Sequence, residues 1–332
     1  MDIKKLLDVA GPVGHEERVA TLMKQAFEEK GLSVERDKFG NVIAGRGKVA
    51  FGAHMDEIGL MISYITEKGF LKFIRLGGID PRVLVSQRVL LMGEKEDIQG
   101  VVGSKPPHLM EREEMEKAHK IKDLFIDIGA SSKEEVEKMG IKPGTPAVFD
   151  APAFKNGSMW FGKAVDNRAG CYLLTLLAGE VDALLVGTTQ EEVSWSGKGA
   201  TIFARKYQPE YFVAVDVAIA GDQPGIKEEE APIKIGGGPV IVPVEAGGVG
   251  NYTPPALYKK VLKIAEDENI PYQIEVLEHG ATDAASVHNV GYGIPSISIS
   301  IPSRYIHSSV SAFSEKDIDA TVKLLKALAR EL

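Results

Sequence analysis

The sequence carries one cysteine, Cys171, so it can form no intrachain disulfide and suits a reducing compartment. That residue opens Cys171-Tyr172-Leu173-Leu174, an apolar helical stretch in which a thiol serves as a small core side chain. No apolar run reaches the roughly 18 residues of a membrane span. Met1-Asp2-Ile3-Lys4-Lys5 leads into an amphipathic stretch and not into a signal peptide, so a cytoplasmic protein without a membrane partner is expected. Basic clusters are also missing. The net charge is -8, which argues against nucleic acid or anionic lipid as a partner. Asn and Gln are scarce beside Glu and Lys, a balance shared with thermophilic proteins.

What is present reads as an ordinary folded enzyme. Of 332 residues, 44% are hydrophobic and 26% charged, enough for one large domain and a second, smaller one. Two helices are expected over 3–31, the second starting near His15-Glu16-Glu17 and closing at Gly31. Short strands follow at 33–36 and 41–44, and 49–53 is an apolar strand that ends in His54-Met55-Asp56. From Thr66 the texture changes. Strand-like pieces at 69–75, 88–92, 98–102, 124–127 and 146–149 alternate with Gly- and Pro-rich turns and with charged helical stretches at 111–122 and 132–139. After 154, apolar strands at 183–189 and 211–215 and further strands at 272–276 and 296–301 alternate with helices at 170–177, 199–206, 254–268 and 315–332. The expected fold is α/β: a mixed, largely parallel sheet sandwiched by helices, built from 1–65 and 154–332. A small β-rich module, 66–153, interrupts it.

Five positions stand out by their placement. His54 follows one apolar strand, Glu191-Glu192 follow another, Asp216 ends a third, and His307 lies shortly after a fourth. Asp166 opens the helix in Val165-Asp166-Asn167-Arg168-Ala169-Gly170. Singly, each has a plain structural explanation: a Glu-Glu pair is usually solvated, and Asp is a common helix cap. Together they gather at the carboxyl edge of the sheet, where α/β sites assemble. Two imidazoles with three carboxylates suit a pair of zinc, cobalt or manganese ions, with one carboxylate between them to offset their repulsion. One member of Glu191-Glu192 can ligate while the other handles protons. Asp56 is placed to accept a hydrogen bond from the His54 ring.

These segments carry a family signature. Ala53-His54-Met55-Asp56-Glu57-Ile58-Gly59, Val165-Asp166-Asn167-Arg168-Ala169-Gly170, Thr189-Gln190-Glu191-Glu192-Val193 and Tyr305-Ile306-His307-Ser308 resemble the TET-type dinuclear metallo-aminopeptidases, the deblocking or glutamyl aminopeptidases. Gly11-Pro12, Glu16-Glu17 and Gly280-Ala281-Thr282-Asp283-Ala284 extend the likeness over nearly the whole chain. The resemblance implies one metal on His54, Asp166 and Asp216 and a second on Asp166, Glu192 and His307, with Asp166 bridging. It implies Glu191 as general base, Asp56 as the residue that orients His54, and a cis Asp166–Asn167 peptide. Two divalent ions per subunit, zinc or cobalt, would act on peptide substrates. The inserted module would be a PDZ-like dimerisation barrel, and the chain would assemble from dimers into a dodecamer. The stretch Ser194-Trp195-Ser196-Gly197-Lys198-Gly199-Ala200 departs from the Gly-Leu-Arg-Gly common in relatives.

Arg304, Lys198 or Lys227 would supply a positive wall for an acidic N-terminal residue, with leucyl, lysyl or deblocking activity as alternatives. A glycosidase, which also uses paired carboxylates, and a non-catalytic metal-binding scaffold are the competing readings. Two histidines beside the acids count against the first, and a proton-handling Glu191 counts against the second. His108, His119 and His279 read as surface residues, and His288 as packed or hydrogen-bonded. Asp283 ranks below the ligands as a site residue.

Overall fold

The computed structural model describes residues 1–194 and 197–332, so Trp195 and Ser196 of the divergent segment lie outside the described residues. Strands Leu184–Thr188, Val49–His54, Tyr211–Ile219 and Ser296–Arg304 are buried over nearly their whole length, which requires cover on both faces. They run parallel, in that order, at the centre of an 11-stranded sheet. Antiparallel strands extend both flanks: Val42–Gly45 and Val34–Arg36 on one side, Ser311–Ser314, Met159–Gly162 and Phe154–Asn156 on the other. Val240–Val244 branches antiparallel from Ser296–Arg304 and pairs in turn with Gln273–Val276. The sheet is mixed: its four central strands and the outlying pair Val240–Val244 and Gln273–Val276 are parallel, and the flanks are antiparallel.

Helices cover both faces. Glu17–Glu29 buries Val19, Ala20, Met23, Ala26 and Phe27, a stripe at helical spacing. With Ile3–Asp8, Val165–Leu177, Pro255–Asp267 and Glu315–Glu331 it closes the main core on one face. Lys198–Tyr207 and Asp283–Val287 pack on the other, around Phe203 and Phe212. Cys171 is fully buried, as its apolar neighbours require.

The inserted module is a closed barrel in the order Gly59–Ile65, Leu71–Leu76, Phe125–Asp127, Asp97–Gly103, Arg88–Met92 and Pro146–Phe149. Its core holds Leu60, Ile62, Leu71, Val89, Leu91 and Ile126. The barrel's first strand begins at Gly59, ahead of the change in texture at Thr66. Gly59-Leu60-Met61-Ile62 is as apolar as the sheet strands, so composition does not separate the two. The charged stretch 111–122 is not one helix: only Arg112–Met115 is α-helical, and a single turn follows at Ile121–Asp123. That stretch has no apolar face to bury, and helices gain most of their stability from one. A two-pronged ion pair from Arg18 to Asp97, at 2.5 and 2.7 Å, ties the barrel to helix Glu17–Glu29.

Candidate metal centre and active site

His54 is the last residue of its strand and lies level with Thr188 of the neighbouring strand. Past Thr188 the chain turns at Gln190, whose φ is 57°, and presents Glu191 and Glu192. Asp216 does not end its strand as expected. Tyr211–Ile219 continues beyond it, because its other edge stays bonded to Ser296–Arg304 through Asp216↔Ser300 and on to Ile219↔Ser303. Its pairing with Val49–His54 stops at Ala214↔Gly52, which leaves the Asp216 edge free to face the site. Asp166 follows Ala164, a left-handed residue, and the Asp166–Asn167 peptide is cis. His307 follows strand Ser296–Arg304 across left-handed Tyr305.

Two of the other expected ligands, Asp166 and Asp216, lie beside the His54 ring, together with Glu191. His54 Nε2 is 3.0 Å from Asp166 Oδ1, 3.9 Å from Asp216 Oδ1 and 3.9 Å from Glu191 Oε2. His307 Nε2 is 3.5 Å from Asp166 Oδ2, and its Nδ1 is 3.9 Å from Glu192 Oε2. The two oxygens of Asp166 therefore face two different histidines. The donor atoms of His54, Asp166 and Glu192 all lie within 4.8 Å of one another. All six residues line one cavity of about 460 Å³.

The His54 ring is held differently from the expectation. Its Nδ1 lies 3.1 Å from the backbone oxygen of Asp56 and 3.6 Å from the Asp56 carboxylate. The carboxylate accepts instead the backbone N–H groups of Glu191 and Glu192, each at 3.1 Å. Asp56 thus clamps the Glu191-Glu192 turn with its side chain and orients His54 with its main chain.

The electrostatics fit divalent cations. Burial first, then the Asp166 charge, holds the Glu192 and Asp216 carboxyls well above the ordinary carboxylate range. Glu191 is raised by burial, with Asp216 and other nearby acids adding to it. Burial would raise Asp166 too, but the His54 hydrogen bond and the two imidazoles outweigh it and lower the carboxyl. Among the described residues lining the cavity none is Lys or Arg. Converging buried acids need a compensating positive charge, and imidazole with carboxylate is the donor chemistry of zinc, cobalt or manganese.

The cations expected to favour an acidic side chain are elsewhere. Arg304 is paired with Asp222 at 3.0 and 2.5 Å, while Lys198 and Lys227 are exposed, and none lines the cavity. His279, read as a surface residue, is exposed but does line it. His288 bonds the Ala284 carbonyl at 3.2 Å. Asp283 takes the Thr188 hydroxyl at 2.5 Å, and burial pushes its carboxyl up to about 6.

Two supports have no role assigned from the sequence, although Glu57, Arg168 and Gly11 fall within the signature segments. The first is a charged hub behind the His54 loop. Glu57, itself 1% exposed, takes Lys163 Nζ at 2.7 and 2.8 Å, Arg168 at 3.3 Å and the Gly11 N–H at 3.0 Å. Arg168, fully buried, also donates to the carbonyls of Met55, Leu6, Val9 and Gly11. Glu57→Ala strands two buried cations and is expected to cost about 3–5 kcal/mol. Denaturant unfolding of the variant checks it, and a loss near zero would show the hub to be idle.

The second is Gly77-Gly78, just past barrel strand Leu71–Leu76. The Gly78 carbonyl accepts from His307 Nδ1 at 2.8 Å. Gly77 has a φ of +85°, and a Cβ there would meet Ile58 at 2.8 Å and Glu192 Oε2 at 3.2 Å. Only glycine lets the barrel approach the site this closely.

Comparison with known proteins places the chain in a family. Residues 40–324 match the model of the family described as M42 glutamyl aminopeptidase. A lysyl aminopeptidase from Pyrococcus furiosus is 35% identical, over 99% of this chain and 96% of its own. The solved aminopeptidase APDkam598 from the archaeon Desulfurococcus kamchatkensis is 38% identical, with a TM-score of 0.93 over 99% of this chain and 94% of its own. The TET1 peptidase of Pyrococcus horikoshii is 34% identical over 99% of this chain and 98% of its own, with TM-scores of 0.87 and 0.88. It is described as a dodecamer and as able to form a tetrahedron or a large octahedral shell.

Proposed function

Because this chain belongs to the M42 glutamyl aminopeptidase family and is a metallo-aminopeptidase, we propose that it removes N-terminal residues from peptides at a two-cation centre. His54, Asp166 and Asp216 would hold one cation, and Asp166, Glu192 and His307 the other. The observation that carries this reading is Asp166, with one oxygen 3.0 Å from His54 and the other 3.5 Å from His307. A carboxylate that spans two imidazoles in this way is placed to bridge. Zinc or cobalt suits the donors.

When bound, the cations polarise the scissile carbonyl and lower the pKa of the attacking water. Glu191 takes a proton from that water and delivers it to the departing amine. Its backbone is fixed by Asp56, so its carboxylate is aimed without having to ligate. Asp56 is a positioning residue, acting through the Glu191-Glu192 turn and through His54.

The inserted barrel would act as the dimerisation domain. Tyr64, Ile74 and Val101 are 55%, 54% and 46% exposed on its strands, apolar side chains available to a second copy. Assembly of such dimers into a dodecamer is the arrangement proposed. The names of relatives divide between glutamyl and lysyl, and an acidic first residue would meet no lysine or arginine among the described cavity residues.

The function is tested with unblocked aminoacyl anilides and their N-acetylated forms. Only the unblocked forms should be cleaved, with activity lost to a chelator and restored by cobalt or zinc. Chelator-resistant cleavage of a β-glucan would favour a glycosidase instead.

A further inference from the structure

Strand Gln273–Val276 is patterned inside out. Ile274 and Val276 are 41% and 65% exposed, while Glu275 between them is 8% exposed. An inward carboxylate flanked by outward apolar side chains reverses the usual alternation of a half-buried strand.

Glu275 faces inward without a partner. Its Oε2 is buried and accepts no hydrogen bond among the described residues. Burial alone pushes the carboxyl up to about 7. An unsatisfied buried acid is costly, and such costs are tolerated mainly where a ligand relieves them.

The residue lines the same cavity as His54, Asp166 and Glu191. It stands with a group of apolar side chains there: Val217, Ala218, Ile219, Val242 and Leu277. Its strand is reached through Val240–Val244 and carries none of the candidate ligands, so Glu275 is not part of the cation cluster. An apolar wall with one carboxylate matches the two parts of a long basic side chain. The methylene stem packs on the wall and the charged head meets the acid.

We infer that Glu275 is the specificity residue of this aminopeptidase, pairing with the ammonium or guanidinium of an N-terminal lysine or arginine. The inference rests on the aminopeptidase reading of the same site. It names the side chain, and not the free α-amino group common to all substrates, as the cation that Glu275 meets.

The cobalt-loaded protein and its Glu275→Gln variant are compared on lysyl, arginyl, leucyl and glutamyl anilides. The unaltered protein should prefer lysine and arginine to leucine by about tenfold or more in kcat/KM. In the variant the lysine-to-leucine ratio should fall by about 10- to 100-fold, through KM, as expected for losing a hydrogen bond to a charged group. The leucyl substrate serves as the control for folding. An unchanged ratio, or an equal loss on lysine and leucine, overturns the inference. Cleavage of leucyl anilide without preference for a basic residue overturns it while leaving the aminopeptidase reading intact. Cleavage of no aminoacyl anilide by the unaltered protein overturns both.

Discussion

Glu191→Gln is expected to lower kcat/KM by about a thousandfold while the protein keeps its full complement of cations. General acid–base groups contribute about 10²–10⁴ to a rate, and glutamine of the same shape can neither take nor return a proton. Glu191 Oε2 lies 3.9 Å from His54 Nε2, so the carboxylate stands within the cluster. Its main chain is held by Asp56, which the substitution leaves alone. Steady-state kinetics on an unblocked anilide, with metal analysis of the same sample, separates the two effects. Near-normal turnover would remove Glu191 from the proton step. Loss of metal would make it a ligand.

Asp166→Asn should be more damaging still, because one substitution weakens both cation sites. The amide keeps the shape but loses the negative charge and turns an N–H₂ toward one of the two histidines. Loss of the cations' charge stabilisation removes several kcal/mol from the transition state, on the order of a thousandfold or more in rate. Unlike Glu191→Gln, this variant should lose metal together with activity. A fully metallated but inactive Asp166→Asn protein would argue against a bridging role.

Much of the sheet and the cluster was legible in the sequence. Strands Val49–His54 and Leu184–Thr188 are buried on both faces, so they appear as largely apolar runs, and His54, Glu191 and Glu192 stand where those runs stop. Asp216 was legible as a residue but not in its setting. Nothing within 211–219 announces that one edge of the strand stays paired while the other is released. The hub of Glu57, Lys163 and Arg168 could not be read, since ordinary-looking charges converge across 106 and 111 positions of sequence. Glu275 was hidden in the same way. In a four-residue strand, Gln273-Ile274-Glu275-Val276, pattern alone places the apolar residues inward. The structure turns that strand over, because its inner face lines the cavity.

The central claim is a two-cation centre bridged by Asp166, and the most direct measurement is a calorimetric titration of chelator-stripped protein with cobalt or zinc, followed by anilide hydrolysis at each point. The account predicts two cations bound per chain, with activity absent before the first addition and complete at the second. It also predicts that Asp166→Asn binds fewer than two. Full activity in the stripped protein, or two cations held as tightly by Asp166→Asn as by the unaltered chain, would contradict it.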